Sequence, residues 1–171
     1  MEDNRIVKMK GNPLVLSGSP AKLAKPAPDF EVLDNDLSPV KLSSFRGKIC
    51  LISSVPSLDT SVCDIQTRKF NQTVAALDSN VLVLTISMDL PFAQKRWCGA
   101  SGLKNVLTFS DHRKAEFGRA FGVLIEQLRL LARAVFIVDA GGIIRYIQIV
   151  SEMTNEPNYD EAIEALKGVI K

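Results

Sequence analysis

Along the chain, short apolar runs alternate with stretches in which apolar residues recur every three or four positions. KICLISSV and VLVLTIS are nearly continuous apolar runs, the pattern of strands buried on both faces. Between them Val62, Ile65, Gln66, Lys69, Phe70, Val74 and Leu77 keep helical spacing, and their apolar members form one stripe. The result is a strand, helix, strand unit. Upstream, RIVKMK and LVLSG flank GNP, which predicts an N-terminal hairpin, and the proline-rich SPAKLAKPAPDF reads as an extended connection over the domain. Downstream, PFAQKRWC predicts a short helix beginning at Pro91, NVLTFS a strand and RKAEFGRAFG a helix. ARAVFIVD and IIRYIQIV read as two strands joined around Gly141 and Gly142, and YDEAIEALKGVI closes the chain as an amphipathic helix.

Strands that alternate with helices and end in a hairpin plus helix predict an α/β fold, a thioredoxin-like sandwich. Its central mixed sheet would be flanked by helices and preceded by a β-hairpin. With 171 residues, 46% of them hydrophobic, and no repeat, low-complexity segment or charge block, the chain reads as one domain over 1–171. The net charge of +2 and the absence of long basic runs argue against a nucleic-acid partner. MEDNRIVKMKGNP lacks an apolar stretch of signal-peptide length, and VLVLTISM is far too short to span a membrane. A soluble, cytoplasmic protein is expected. Cys50, Cys63 and Cys98 are too few and too irregularly spaced for a disulfide scaffold, so in a reducing compartment a reactive thiol is the better reading.

VPSLDTSVCDIQTRKFN, where the first buried strand gives way to helix, is the place for such a thiol. Pro56 ends the strand, Ser57 to Asp59 form a loop, and Thr60 or Ser61 caps a helix whose first turn holds Cys63. Free N–H groups and the positive end of the helix dipole favour thiolate there, but the dipole contributes only about 0.3–1 kcal/mol. A unit positive charge about 4 Å away contributes up to roughly 4 kcal/mol at an effective dielectric of about 20. The site therefore needs a cation. Arg133 is the candidate, because it interrupts the apolar run LLARAVFIVD, where a guanidinium is costly without a partner anion. The plainer alternative places Arg133 at the strand entrance with its head in water. Arg68 and Lys69 read as a solvated helix face, and the only histidine, His112, as a helix cap in SDHRKAEF.

Pro56, Thr60 and Cys63 together spell P-x-x-x-T-x-x-C, and the stretch resembles the thiol peroxidase branch of the peroxiredoxins. MDLPFAQKRWCGASGLKNV, LARAVFIVD and SEMTNEPNYDEAIEALK resemble further segments of that family in the same order, so the likeness covers nearly the whole chain. The resemblance implies Cys63 as peroxidatic nucleophile, Thr60 as the hydroxyl contacting peroxide and thiolate, and Arg133 as activating cation. It makes Pro56 the shield of the sulfur and Cys98 the resolving cysteine. It also implies reduction of hydrogen peroxide and alkyl hydroperoxides, thioredoxin as reductant, a homodimer, and no metal or cofactor.

Thiolate attack on a peroxide oxygen fits these residue types, since the site must activate sulfur and stabilise charge on the departing oxygen. The sulfenic acid formed on Cys63 would condense with a second thiol. Cys98, 35 residues on, is the nearest plausible one in sequence, although a small residue packed on a helix is its plainer reading. Both cysteines fall in predicted helices, so joining them requires local unwinding. An intersubunit bridge remains open at this point. Cys50, inside ICLISSV, reads as a core residue with a raised pKa. Val55 stands where relatives commonly carry an aromatic residue, which bears on the shape of the pocket. Two other classes compete. A thioredoxin-type dithiol oxidoreductase lacks its C-x-x-C motif here, whereas a redox sensor or holdase would share all of the chemistry.

Overall fold

The computed structural model describes residues 5–103 and 106–170. In chain order these form β1 (Ile6–Met9), β2 (Asn12–Val15), β3 (Glu31–Leu33), β4 (Pro39–Lys41) and a 3-10 turn at Leu42–Phe45. β5 (Ile49–Ser54), α1 (Ser61–Ala75), β6 (Val81–Ser87), α2 (Pro91–Ser101), β7 (Leu107–Ser110) and α3 (Glu116–Ala120) follow. A two-residue pair, β8 (Leu124–Ile125) and β9 (Leu130–Leu131), precedes β10 (Ala134–Val138), β11 (Ile144–Ile149) and α4 (Tyr159–Ile170).

Seven strands make one mixed sheet in the order β11-β10-β5-β6-β7-β3-β4. β5, β6 and β7 run parallel, as the helical crossovers α1 and α2 require, while β10 pairs antiparallel with both β5 and β11. The continuous apolar runs follow from having a core on each face. Cys50 and Ile52 of β5 and Phe136 and Val138 of β10 join one cluster with Phe30, Phe117 and Phe121. The intervening Leu51, Val135 and Ile137 join Phe70 and Val74 of α1 and Ala162 and Leu166 of α4 on the other. This is the expected α/β sandwich.

Several expectations change in detail. The hairpin turns at Lys10 and Gly11, whose φ values of 50° and 80° suit a tight two-residue turn, and Asn12 and Pro13 of GNP belong to β2. The apolar stripe of α1 is rotated: Ile65 is exposed, whereas Cys63, Gln66, Thr67, Phe70 and Val74 are buried, and Leu77 lies exposed in the turn beyond the helix end. Of RKAEFGRAFG only Glu116–Ala120 is helical. Its first turn is capped not by His112 but by buried Asp111, which accepts from the N–H groups of Phe117 and Gly118. Burial pushes the Asp111 carboxyl up to about 6. NVLTFS forms a strand from Leu107, with Asn105 outside the described residues, as are residues 1–4 of the N-terminal stretch. β3 and the edge strand β4, and the β8–β9 pair, had no counterpart in the hydrophobic pattern. No helix among the described residues is long and apolar enough to cross a membrane.

Candidate active site

The site lies beyond the carboxyl end of β5, where a parallel strand hands over to its crossover helix and backbone N–H groups are left unpaired. Pro56 follows β5, and the loop after it is anchored by a side chain that the motif does not contain. Asp89 accepts from Ser57 Oγ at 2.7 Å, from the Leu58 N–H at 2.8 Å and from Ser87 Oγ at 2.7 Å. Thr60 is the N-cap of α1, with extended backbone at φ −93° and ψ 147°. Its Oγ1 accepts from the Cys63 N–H at 3.4 Å and donates to the Ser57 carbonyl at 3.2 Å. Cys63 thus sits in the first turn with no exposed surface.

Arg133 turns inward rather than to water, with 2% of its surface exposed. Its Nε donates to the Met153 carbonyl at 2.9 Å and one terminal nitrogen to Gln66 Oε1 at 2.9 Å, while the other lies 3.4 Å from Cys63 Sγ. Gln66 in turn donates to Ser53 Oγ of β5 at 2.8 Å. Among the described residues no carboxylate pairs with this buried guanidinium. Its one hydrogen-bonded ionisable partner among the described residues is the Cys63 sulfur. Gln66 was visible in the sequence only as a polar interruption of the α1 stripe, and Asp89 only as a carboxylate after an apolar run.

A hollow of about 480 Å³ opens at this point, walled by Pro56, Thr60 and Arg133 and, from the hairpin and the loop after β11, by Met9, Lys10 and Met153. Val55 is fully buried and packs with Leu58 and Cys63, and the aromatic ring against this cluster is that of Trp97 from α2.

Cys98 is half-buried on α2 and has different neighbours. Its sulfur lies 3.3 Å from Thr108 Oγ1 and 3.8 Å from Asn35 Nδ2, and Thr108 Oγ1 donates to Asn35 Oδ1 at 2.9 Å. All three cysteines are free thiols. Cys50 is 2% exposed, and burial pushes its thiol up to about 12. Arg68 is tied to Asp64 and the Ser101 carbonyl, and Lys69 lies 4.2 Å from the Tyr159 ring centre, so neither is merely solvated. Among the described residues no cluster of three or more His, Cys, Asp or Glu side chains is arranged to hold a metal.

Residues 22–163 match the Redoxin family. The chain is 57% identical over 164 residues to a thiol peroxidase of Halalkalibacterium halodurans, covering 96% of this chain and 98% of that one. It is 53% identical over 165 residues to a thiol peroxidase of Bacillus subtilis, again covering 96% and 98%. The solved structure of a peroxiredoxin-like protein from Aquifex aeolicus matches at TM-score 0.89 and 43% identity, over 96% of this chain and 97% of that one. A thiol peroxidase from Chromobacterium violaceum, 20% identical, shares the fold at TM-score 0.88 over 97% of both chains. A cysteine at a capped helix start on a thioredoxin-like sheet, and likeness to thiol peroxidases over almost their full length, lead to one conclusion: the chain belongs to the Redoxin family, among its thiol peroxidases.

Proposed function

We propose that the chain reduces hydrogen peroxide and alkyl hydroperoxides through Cys63, with Cys98 as resolving thiol and thioredoxin as final reductant. The observation that carries this reading is the buried Arg133 guanidinium, which among the described residues has a thiol and no carboxylate for company. A cation in that position stabilises the Cys63 thiolate, because the alternative is an uncompensated buried charge.

The thiolate attacks one peroxide oxygen, the O–O bond breaks, and the departing oxygen takes a proton to leave as alcohol or water. Arg133 stabilises the charge on the reacting oxygens, Thr60 supplies a hydroxyl at the helix start, and Pro56 walls the hollow against bulk water. Cys63 is left as sulfenic acid. Attack by the Cys98 thiolate then forms the S–S bond and expels hydroxide, which is released as water. Thioredoxin restores both thiols by dithiol exchange. A homodimer, which the family resemblance implies, and a cytoplasmic location, which suits three cysteines too few and too irregularly spaced for a disulfide scaffold, complete the reading.

The test is peroxide-dependent oxidation of NADPH in the presence of thioredoxin and its reductase. Turnover with hydrogen peroxide or an alkyl hydroperoxide is expected. Its absence with both would overturn the enzyme reading, and turnover only with another thiol donor would replace thioredoxin. Peptide mapping after one equivalent of peroxide should find Cys63 joined to Cys98 within one chain. A bridge between chains, or to Cys50, would overturn the resolving role of Cys98.

A further inference from the structure

We infer that Asp64, Arg68 and Trp97 are positioning residues of the resolving step: together they lock α2 onto α1, and release of this lock sets how fast sulfenic acid becomes disulfide. The inference rests on the Cys63–Cys98 chemistry proposed above. Asp64 immediately follows Cys63, and Trp97 immediately precedes Cys98. The Trp97 indole N–H donates to Asp64 Oδ1 at 2.9 Å, and Arg68 Nε donates to Asp64 Oδ2 at 2.9 Å. Arg68 reaches on to α2 as well, donating to the Ser101 carbonyl at 2.7 Å and stacking its guanidinium 5.6 Å from the Trp97 ring centre. One carboxylate and one guanidinium therefore bind both ends of the turn that carries Cys98.

The two sulfurs have separate partners in this state, Arg133 for Cys63 and Thr108 with Asn35 for Cys98. A disulfide requires an S–S distance of about 2.05 Å with Cα atoms about 4.4–6.8 Å apart, and two cysteines inside intact helices must leave their present partners to reach it. Because the lock is made by the residues adjoining each cysteine, neither helix segment can unwind far without breaking it. The step itself needs no further oxidant. The Cys98 thiolate attacks the Cys63 sulfenic sulfur, the S–O bond breaks, and hydroxide leaves as water. Holding the segment closed lengthens the life of the sulfenic acid, during which a second peroxide can carry it to sulfinic acid.

The chain has one tryptophan, and it sits in the lock, so its fluorescence reports opening in Arg68 variants. The measurements are rapid mixing of the reduced protein with peroxide, followed by fluorescence and by acid quench with mass spectrometry. These separate sulfenic acid, disulfide and sulfinic acid. Trp97→Phe keeps an aromatic ring but removes the N–H, and Arg68→Met keeps the aliphatic stem but removes the guanidinium. In both, resolution should be about three- to tenfold faster, as expected when a charge-assisted hydrogen bond present only in the closed state is lost. Peroxide attack should change by less than about twofold, and less sulfinic acid should accumulate at high peroxide, a split that general destabilisation would not produce. Resolution at the parent rate, slower resolution, or equal changes in attack and resolution would each overturn the lock. If the parent itself forms no Cys63–Cys98 bridge, the resolving role of Cys98 falls and the lock with it; a parent that forms the bridge, with variants resolving at its rate, removes the lock alone.

Discussion

Arg133 stands one residue before β10, and its backbone carbonyl still accepts from the Val150 N–H at 2.9 Å while its side chain crosses beneath the start of α1. Two hydrogen bonds, to the Met153 carbonyl and Gln66 Oε1, hold the guanidinium in one orientation, and the remaining nitrogen faces sulfur. Replacing it with Met should slow alkylation and peroxide attack at neutral pH by about ten- to a hundredfold. That corresponds to part of the roughly 4 kcal/mol such a charge contributes at about 4 Å. An unchanged alkylation rate would mean that the charge comes from elsewhere. The fold should survive, since a buried cation is replaced by an apolar side chain of similar length. At this scale the sequence was informative but incomplete. The motif spacing exposed Thr60 and Cys63, and an arginine inside an apolar run drew attention to Arg133. Gln66 and Asp89, which orient that arginine and the motif loop, are ordinary polar residues until the chain is folded around them.

Among the elements, the N-terminal hairpin shows how a remote segment is brought to the site. Glu152, just before the Met153 whose carbonyl holds Arg133, accepts from the Lys10 and Gly11 N–H groups of the hairpin turn at 3.2 and 2.8 Å. It also accepts from the Thr154 N–H and hydroxyl. Hydrogen bonds from Thr154 and Gly11 hold its carboxyl down at about 2, below its ordinary 4.5. A carboxyl lowered on folding contributes stability above its unfolded value and loses it as pH falls through the folded one. The tie should therefore be complete at neutral pH and should loosen between about pH 4.5 and 2. Amide exchange at Lys10 and Gly11 is the check. Glu152→Gln should raise it at neutral pH, and the difference from the parent should vanish as the parent is acidified. The hairpin itself was legible as two alternating runs around a glycine. Its turn position was not, because Lys10 adopts φ 50° in spite of its side chain, and the hairpin's attachment to the β11 loop depends on residues about 140 positions away.

Across the whole molecule, the sheet divides the apolar residues into two layers, and the layer opposite α1 is built on rings. Phe30, Phe117, Phe121 and Phe136 meet mainly edge to face with centres 5.0 to 6.3 Å apart. Phe136→Ala should lower unfolding stability by about 3–5 kcal/mol in urea titration, because the rigid neighbours cannot collapse into the space. Such a variant should keep Cys63 reactivity as long as it is folded. What the sequence determined by itself was the periodicity. Continuous apolar runs imply strands covered on both faces, helical spacing implies crossovers between them, and a cysteine three residues after a threonine implies a thiol at a capped helix start. Those properties depend on residues close along the chain, so local pattern carries them. Tertiary structure alone decided which face of α1 is inward, that Arg133 meets Cys63 across 70 positions, and that Asp64 and Arg68 clasp the helix bearing Cys98. A polar side chain takes its meaning from the partner that burial gives it, and that partner is chosen only when the sheet closes and its helices pack.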